Sequence, residues 1–280
     1  MRDTIEDVRG QLITAIKKDQ IVLPTLPEIA LQVREAANDD NISIKALGDL
    51  IGTDAALSAR VIKVANSPLV RSPQAIENLP AAISRLGIAY SCNLAVGLAM
   101  QQMFQATNDM IDSRMRQVWS HSSEVAAISN VLARHYTRLP PDQATLAGLI
   151  HQIGILPILT FAEEKEIFLE QDESADLDEL IDSLHPQIGE LILRTWSFSD
   201  SLSHVPSEHL RIHRNSEKVD YADIVIVAKL QSYAETDHPL AQVDWNTVPA
   251  FAKLGLSADM DSLEGEDLSD EMEAAMKALQ

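Results

Sequence analysis

The chain has 280 residues, 46% of them hydrophobic and 23% charged, with a single cysteine, Cys92. That length supplies a core without disulfides, and one cysteine excludes both a disulfide framework and a cysteine-built zinc site, which fits a reducing cytoplasm. The formal net charge of −20 repels phosphate backbones and anionic lipid heads, and 4% aromatics offer few stacking platforms, so nucleic acid is disfavoured as a partner.

The first residues, MRDTIEDVRG, carry charges of both signs and no apolar h-region, which speaks against a signal peptide. No apolar run approaches the ~18 residues that a membrane span needs. Hydrophobic spacing with a period of 3.6 dominates, and strand-like alternation is scarce; this predicts an all-α, multi-helical protein. An N-terminal helix occupies residues 1–22. Then LPTLPEIALQVREAAN, NISIKALGDLIG, TDAALSARVIKVAN and ENLPAAISRLG carry proline or a capping residue at their starts. Thr53 or Asp54 caps the third, and Asn66-Ser67-Pro68 stops it, because proline cannot continue the hydrogen-bond ladder. These helices form an N-terminal lobe over residues 23–110 with no cluster of catalytic side chains.

From residue 111 the character changes, and all eight histidines lie beyond residue 120. MRQVWSHSSEVAAISNVLARHY puts Met115, Trp119, Ser122, Val125, Ser129 and Leu132 on one helical face. TLAGLIHQIGILPILTF reads as a central helix, apolar nearly all round, yet it holds His151 and Gln152. Residues 163–179 are an acidic, solvated stretch. LHPQIGELILRTW follows, with Pro186 suited to a first helical position. VPSEHLRIHRN and DYADIVIVAKLQSYA complete a second lobe that ends near residue 256. Residues 257–280, with eight acidic residues and one lysine, predict a mobile acidic extension ending in a weak amphipathic helix.

LPTLPEIALQVREA, LIGTDAALSARVIKVANSP and AISRLG, in this order, resemble the N-terminal half of the HDOD (HD-related output domain) family. His121, LAGLIHQIGI and HPQIGELIL resemble that family's version of the HD metal-dependent phosphohydrolase core. The resemblance covers about residues 23–234 and implies an N-terminal helical lobe followed by an HD-like helical core over 111–256. It matches His121 to the first metal histidine of catalytic HD enzymes and His151 to the second. Gln152 stands where the paired aspartate belongs. His185 and His209 match histidines of extended sites. In IVIVAKLQ, Lys229 takes the place of the late aspartate, with Asp223 about two turns earlier. Imidazoles and carboxylates bind divalent cations that activate water for attack on phosphorus. A carboxamide lacks the neutralising charge, and a lysine opposes the ion. The set reads as a degenerate metal site.

Read without the resemblance, His121 and His151 are helix-face histidines bonded to neighbours, and His185 caps a helix. His209 and His213 stand four apart, a two-ligand spacing on a helix, but no carboxylate motif accompanies them and they read as exposed. The resemblance implies a non-catalytic bacterial signal-transduction module with no catalytic residue, no metal and no cofactor. It would contact a signalling protein through the face around His185 and His209 and the groove between lobes; a homodimer stays open. The alternatives are a metal-dependent phosphohydrolase or phosphodiesterase acting on a nucleotide or cyclic dinucleotide, and a nucleotide-binding pseudoenzyme.

Overall fold

Short polar side chains start the helices of the N-terminal half. The computed structural model describes residues 5–17, 23–39, 41–67, 70, 75–168, 174–234, 236–256 and 266–279. Helices α1 (Ile5–Lys17) and α2 (Glu28–Ala37) are followed by α3 (Ile44–Ile51), where the Ser43 hydroxyl accepts from the Ala46 amide. Asp54, not Thr53, caps α4 (Ala55–Ala65) by accepting from the Leu57 amide. Asn78 caps α5 (Leu79–Leu86), and α6 (Ile88–Ala99) follows. Each such cap contributes about 1 kcal/mol. Asn66 ends α4, and its side chain clamps both the amide and the carbonyl of Ile76, at 2.7 and 2.8 Å. Pro68, the expected stop, lies outside the described residues.

The second half is built on the 28-residue α7 (Asp109–Tyr136), capped by Asn108. Against it lie α8 (Pro141–Ile150), α9 (Ile155–Lys165), α10 (Ser174–Thr195), the single turns α11 (Asp200–Ser203) and α12 (Val205–Glu208), α13 (Tyr221–Ser232) and α14 (Pro249–Leu254). There is no strand among the described residues, so the fold is all-α as the periodicity predicts. The apolar core forms one cluster from Val8 to Leu279, across the expected boundary near residue 110. Arg34 of α2 ties the halves together: it donates to the carbonyls of Trp196 and Ser197 and lies 4.3 Å from the Phe198 ring centroid. The Trp196 indole returns a bond to the Pro24 carbonyl at 3.0 Å.

Two helices differ from the sequence expectation. The stretch 145–161 is not one helix but α8 and α9, joined by a four-residue turn, 151–154. Pro157 lacks the amide that would continue the ladder to Ile153. The turn tightens instead, with Ile153 donating to Ile150 and Ile155 to Gln152. Gly154 is required there: a Cβ on it would lie 2.0 Å from the His185 carbonyl oxygen and 2.5 Å from the Gly189 amide. Backbone cannot yield as a side-chain tip can. We therefore expect Gly154→Ala to cost about 3 kcal/mol in urea unfolding, against under ~1 kcal/mol for a tolerated exchange; a loss below that lower figure would show that α10 has room to retreat. The second difference is Pro186. It sits inside α10 rather than at its start, because the helix begins a dozen residues earlier, within the acidic stretch.

Residues 141–165 are also long and apolar enough, by length and composition, to cross a membrane, contrary to the sequence reading. The fold buries 83% of that window inside the protein, as expected of a core helix pair. Residues 257–265 of the acidic extension lie outside the described residues. Its closing helix, α15 (Glu266–Leu279), docks on α7 and α4, burying Ala275, Ala278 and Leu279. Glu271 accepts from Arg134 at 2.8 Å and meets His135 at 3.1 Å. The amphipathic face was legible in the sequence; its landing site was not.

Candidate functional site

Four of the eight histidines meet in the interior, each from a different element. His121 lies midway along α7, His151 closes α8, His185 precedes Pro186 in α10, and His209 closes α12. The rings follow one another at centroid distances of 5.8 Å (His121–His151), 5.0 Å (His151–His209) and 5.5 Å (His209–His185). His151 and His209 are 0% exposed and His185 is 2%. Close backbone approach makes this possible. A Cβ on Gly148 would lie 2.4 Å from the Ala126 Cα, so only glycine lets α8 press onto α7 one turn before His151.

The backbone fixes how three of the rings present themselves. The His151 Nδ1 lies 2.6 Å from the Gly148 carbonyl, the His185 Nδ1 2.8 Å from that of Ile181, and the His209 Nδ1 2.9 Å from that of Pro206. A carbonyl only accepts, so each Nδ1 carries the proton and each Nε2 keeps its lone pair. The Nε2 atoms of His121, His151, His185 and His209 are all buried and have no hydrogen-bond partner among the described residues. Burial first, and then the charge of Lys229, pushes His121 down to about 4. Burial likewise takes His185 to about 4, against the raising effect of its Ile181 bond. His151 and His209 fall well below the ordinary imidazole value, again chiefly through burial. The cluster is neutral near pH 7.

Lys229 is the remaining member. It is 7% exposed on α13, and its charge acts on all four rings. Burial lowers its own pKa to about 8, and Asp182 of α10 opposes that shift. Gln152 sits in the turn after His151, with its Oε1 buried and without a donor among the described residues. Asp223, the carboxylate of α13, is engaged in a separate network. It forms a capping box with Asp220 and accepts from Arg214, Ser216 and Lys253 at 2.9 to 3.2 Å.

The donor set does not fit a divalent cation as it stands. A unit positive charge about 4 Å from such an ion costs about 8 kcal/mol at an effective dielectric of about 20. None of the four imidazoles is joined by a ligating carboxylate, and among the described residues no group of three or more His, Cys, Asp or Glu is arranged to hold a metal. A stack closes the cluster on one side: Tyr233 lies 4.8 Å from His121 and 3.7 Å from His238, with near-parallel planes. Outside the stack is an open cavity of about 720 Å³, lined by Ser113, Arg114, Gln117, Asp182, Tyr233 and His238 among others.

The structure thus gathers His121, His151, His185, His209 and Lys229, and it corrects two expectations. His209 and His213 do not share a helix face. His209 is interior, whereas His213 is exposed and bonds the Thr247 carbonyl through Nδ1. The rings of His185 and His209 are themselves buried and do not lie on a surface. Sequence reasoning missed Asp182, Tyr233 and His238. Asp182 stands three residues before His185, and Tyr233 four after Lys229; that same-face spacing was the available signal.

The chain is similar to known proteins over most of its length. The HDOD domain family matches residues 23–212. A crystal structure from Shewanella amazonensis SB2B, of a protein whose name proposes a metal-dependent phosphohydrolase, is 31% identical and covers 99% of both chains with a TM-score of 0.87. One from Marinobacter aquaeolei VT8, whose name proposes a signal transduction protein, is 21% identical over 99% of this chain and 66% of that one, with a TM-score of 0.68; at that identity it shows the fold alone. An uncharacterised protein of Treponema pallidum (strain Nichols) is 22% identical over 209 residues, and the match spans only 39% of its length. With the match to the family running through both halves and past all four clustered histidines, the chain belongs to the HDOD domain family.

Proposed function

We propose that this HDOD protein is a non-catalytic, cytoplasmic signal-transduction module that acts through contacts with a signalling protein. One observation carries the reading: a cluster of four neutral imidazoles, three of them buried, lies within electrostatic reach of the Lys229 ammonium. Hydrolysis of a phosphate ester needs a cation to generate hydroxide and shield the phosphate, or an acid and a base that titrate near neutrality. Imidazoles held at about 4, as in His121 and His185, or well below the ordinary value, as in His151 and His209, are poor proton donors and weak bases at pH 7, and the Lys229 charge repels a divalent ion. The charge of −20 further discourages anionic substrates. The second reading, a metal-dependent phosphohydrolase, draws on the four unpaired Nε2 atoms and on the name of the Shewanella relative.

The purified protein should show no turnover above background on cyclic dinucleotides, guanosine polyphosphates or simple phosphate esters, with or without added manganese, iron or nickel. Metal-dependent turnover that disappears in His151→Ala would replace this reading with the second.

A further inference from the structure

Helix α15 lies beyond the span 23–212 matched by the family and rests on α4 and α7. Glu271, Ala275, Ala278 and Leu279 stand at i, i+4, i+7 and i+8, one face of a helix, and all four are buried. Two features set this seat apart from core packing. The first is fill. Alanine buries little surface, and an open cavity of about 400 Å³ remains between α15 and α4, lined by Lys63, Ser67, Ala274 and Ala278 among others. Protein interiors are close-packed, so the seat is wider than its helix fills. The second is charge. Glu271 accepts from Arg134 at 2.8 Å and meets His135 at 3.1 Å, both on α7. With α15 in place, the side chains of Arg134 and His135 are still 34% and 38% exposed. Release of α15 therefore returns these groups and Glu271 to water and leaves no charge buried alone.

We propose that the α4–α7 surface under α15 is a docking site for an amphipathic helix of a partner protein, and that α15 holds the place in cis until it is displaced. The partner helix carries a carboxylate where α15 has Glu271, to meet Arg134 and His135. It carries longer apolar side chains where α15 has Ala274 and Ala278, to fill the cavity. Their spacing, i, i+3 and i+7, is that of a helix laid into a groove. The inference gives the contact with a signalling protein a place on the molecule and rests on that reading.

The test titrates the full chain with a fluorescently labelled peptide of residues 266–280, and with the same peptide carrying Ala274→Leu and Ala278→Leu. Tethered α15 competes at an effective concentration on the order of millimolar, so the native-sequence peptide should bind weakly. The leucine peptide should bind at least ~100-fold more tightly. Hydrogen exchange should show residues 270–279 of the protein losing protection as it binds. Glu271→Lys in the full chain loosens α15 but not its seat, and should raise affinity for the native-sequence peptide at least ~10-fold. Equal affinity of the two peptides for the wild type overturns the proposal, and so does an α15 that keeps its protection with the leucine peptide bound. No gain in Glu271→Lys counts equally against it; should that variant fail to fold, the two wild-type measurements decide. A wild-type dimer that the leucine peptide dissolves would give the surface to a second copy and overturn the partner. Phosphoester turnover would sink the non-catalytic reading without changing these affinities.

Discussion

Acidification should unfold this protein well before its carboxylates titrate. The imidazoles of His121 and His185 are held at about 4, and those of His151 and His209 well below the ordinary value. In the unfolded chain the same groups titrate near 6.5. Between those limits the unfolded state binds more protons than the folded one, so stability falls as pH falls. It is fully present above pH ~6.5 and erodes towards pH ~4. At pH ~5, His121 and His185 each remove about 2 kcal/mol, a large share of the 5–15 kcal/mol typical of a folded domain. His151 and His209 act in the same direction. Relief of self-repulsion opposes the effect as the net charge of −20 shrinks, but most carboxylates are still ionised at pH ~5. Thermal melting followed from pH ~7.5 to pH ~5 should show a steep drop in Tm beginning near pH ~6.5. A Tm that stays flat across that range would mean the rings are not buried as neutral species.

The second large effect is expected at Asp223, which is fully buried at the start of α13. Its carboxylate accepts from Arg214, Ser216 and Lys253, and Arg214 also reaches Asp220 and Glu208. The network ties α13 to α14 and to the segment after α12, next to His209. Asp223→Ala leaves two mostly buried cations without their shared partner, which costs about 3–5 kcal/mol. Asp223→Asn keeps the shape and the capping bond but loses the charge, so it should fall between the wild type and the alanine variant. Urea unfolding measures both. A loss under ~1 kcal/mol for Asp223→Ala would show that Asp220 and Glu208 hold Arg214 by themselves.

Hydrophobic periodicity was enough to identify the all-α class, because an amphipathic helix records its buried face in its own spacing. A cap such as Asp54 was equally local, since a capping side chain bonds amides two or three residues away. The order and spacing of His121, His151, His185 and His209 pointed to one site through the family resemblance. Other features depended on contacts that no local pattern records. Gly154 meets the backbone of α10 more than thirty residues later, and that approach sets the turn carrying His151 and Gln152. Read by spacing alone, His209 looked like half of an exposed pair with His213; it is interior because α12 ends at Glu208 and the next residues do not continue the helix. Lys229 read as a lost ligand in the sequence. Only the packing of α13 against α7 and α8 makes it a buried cation whose charge reaches four lone pairs, because such an effect depends on distance and dielectric, and a linear sequence contains neither.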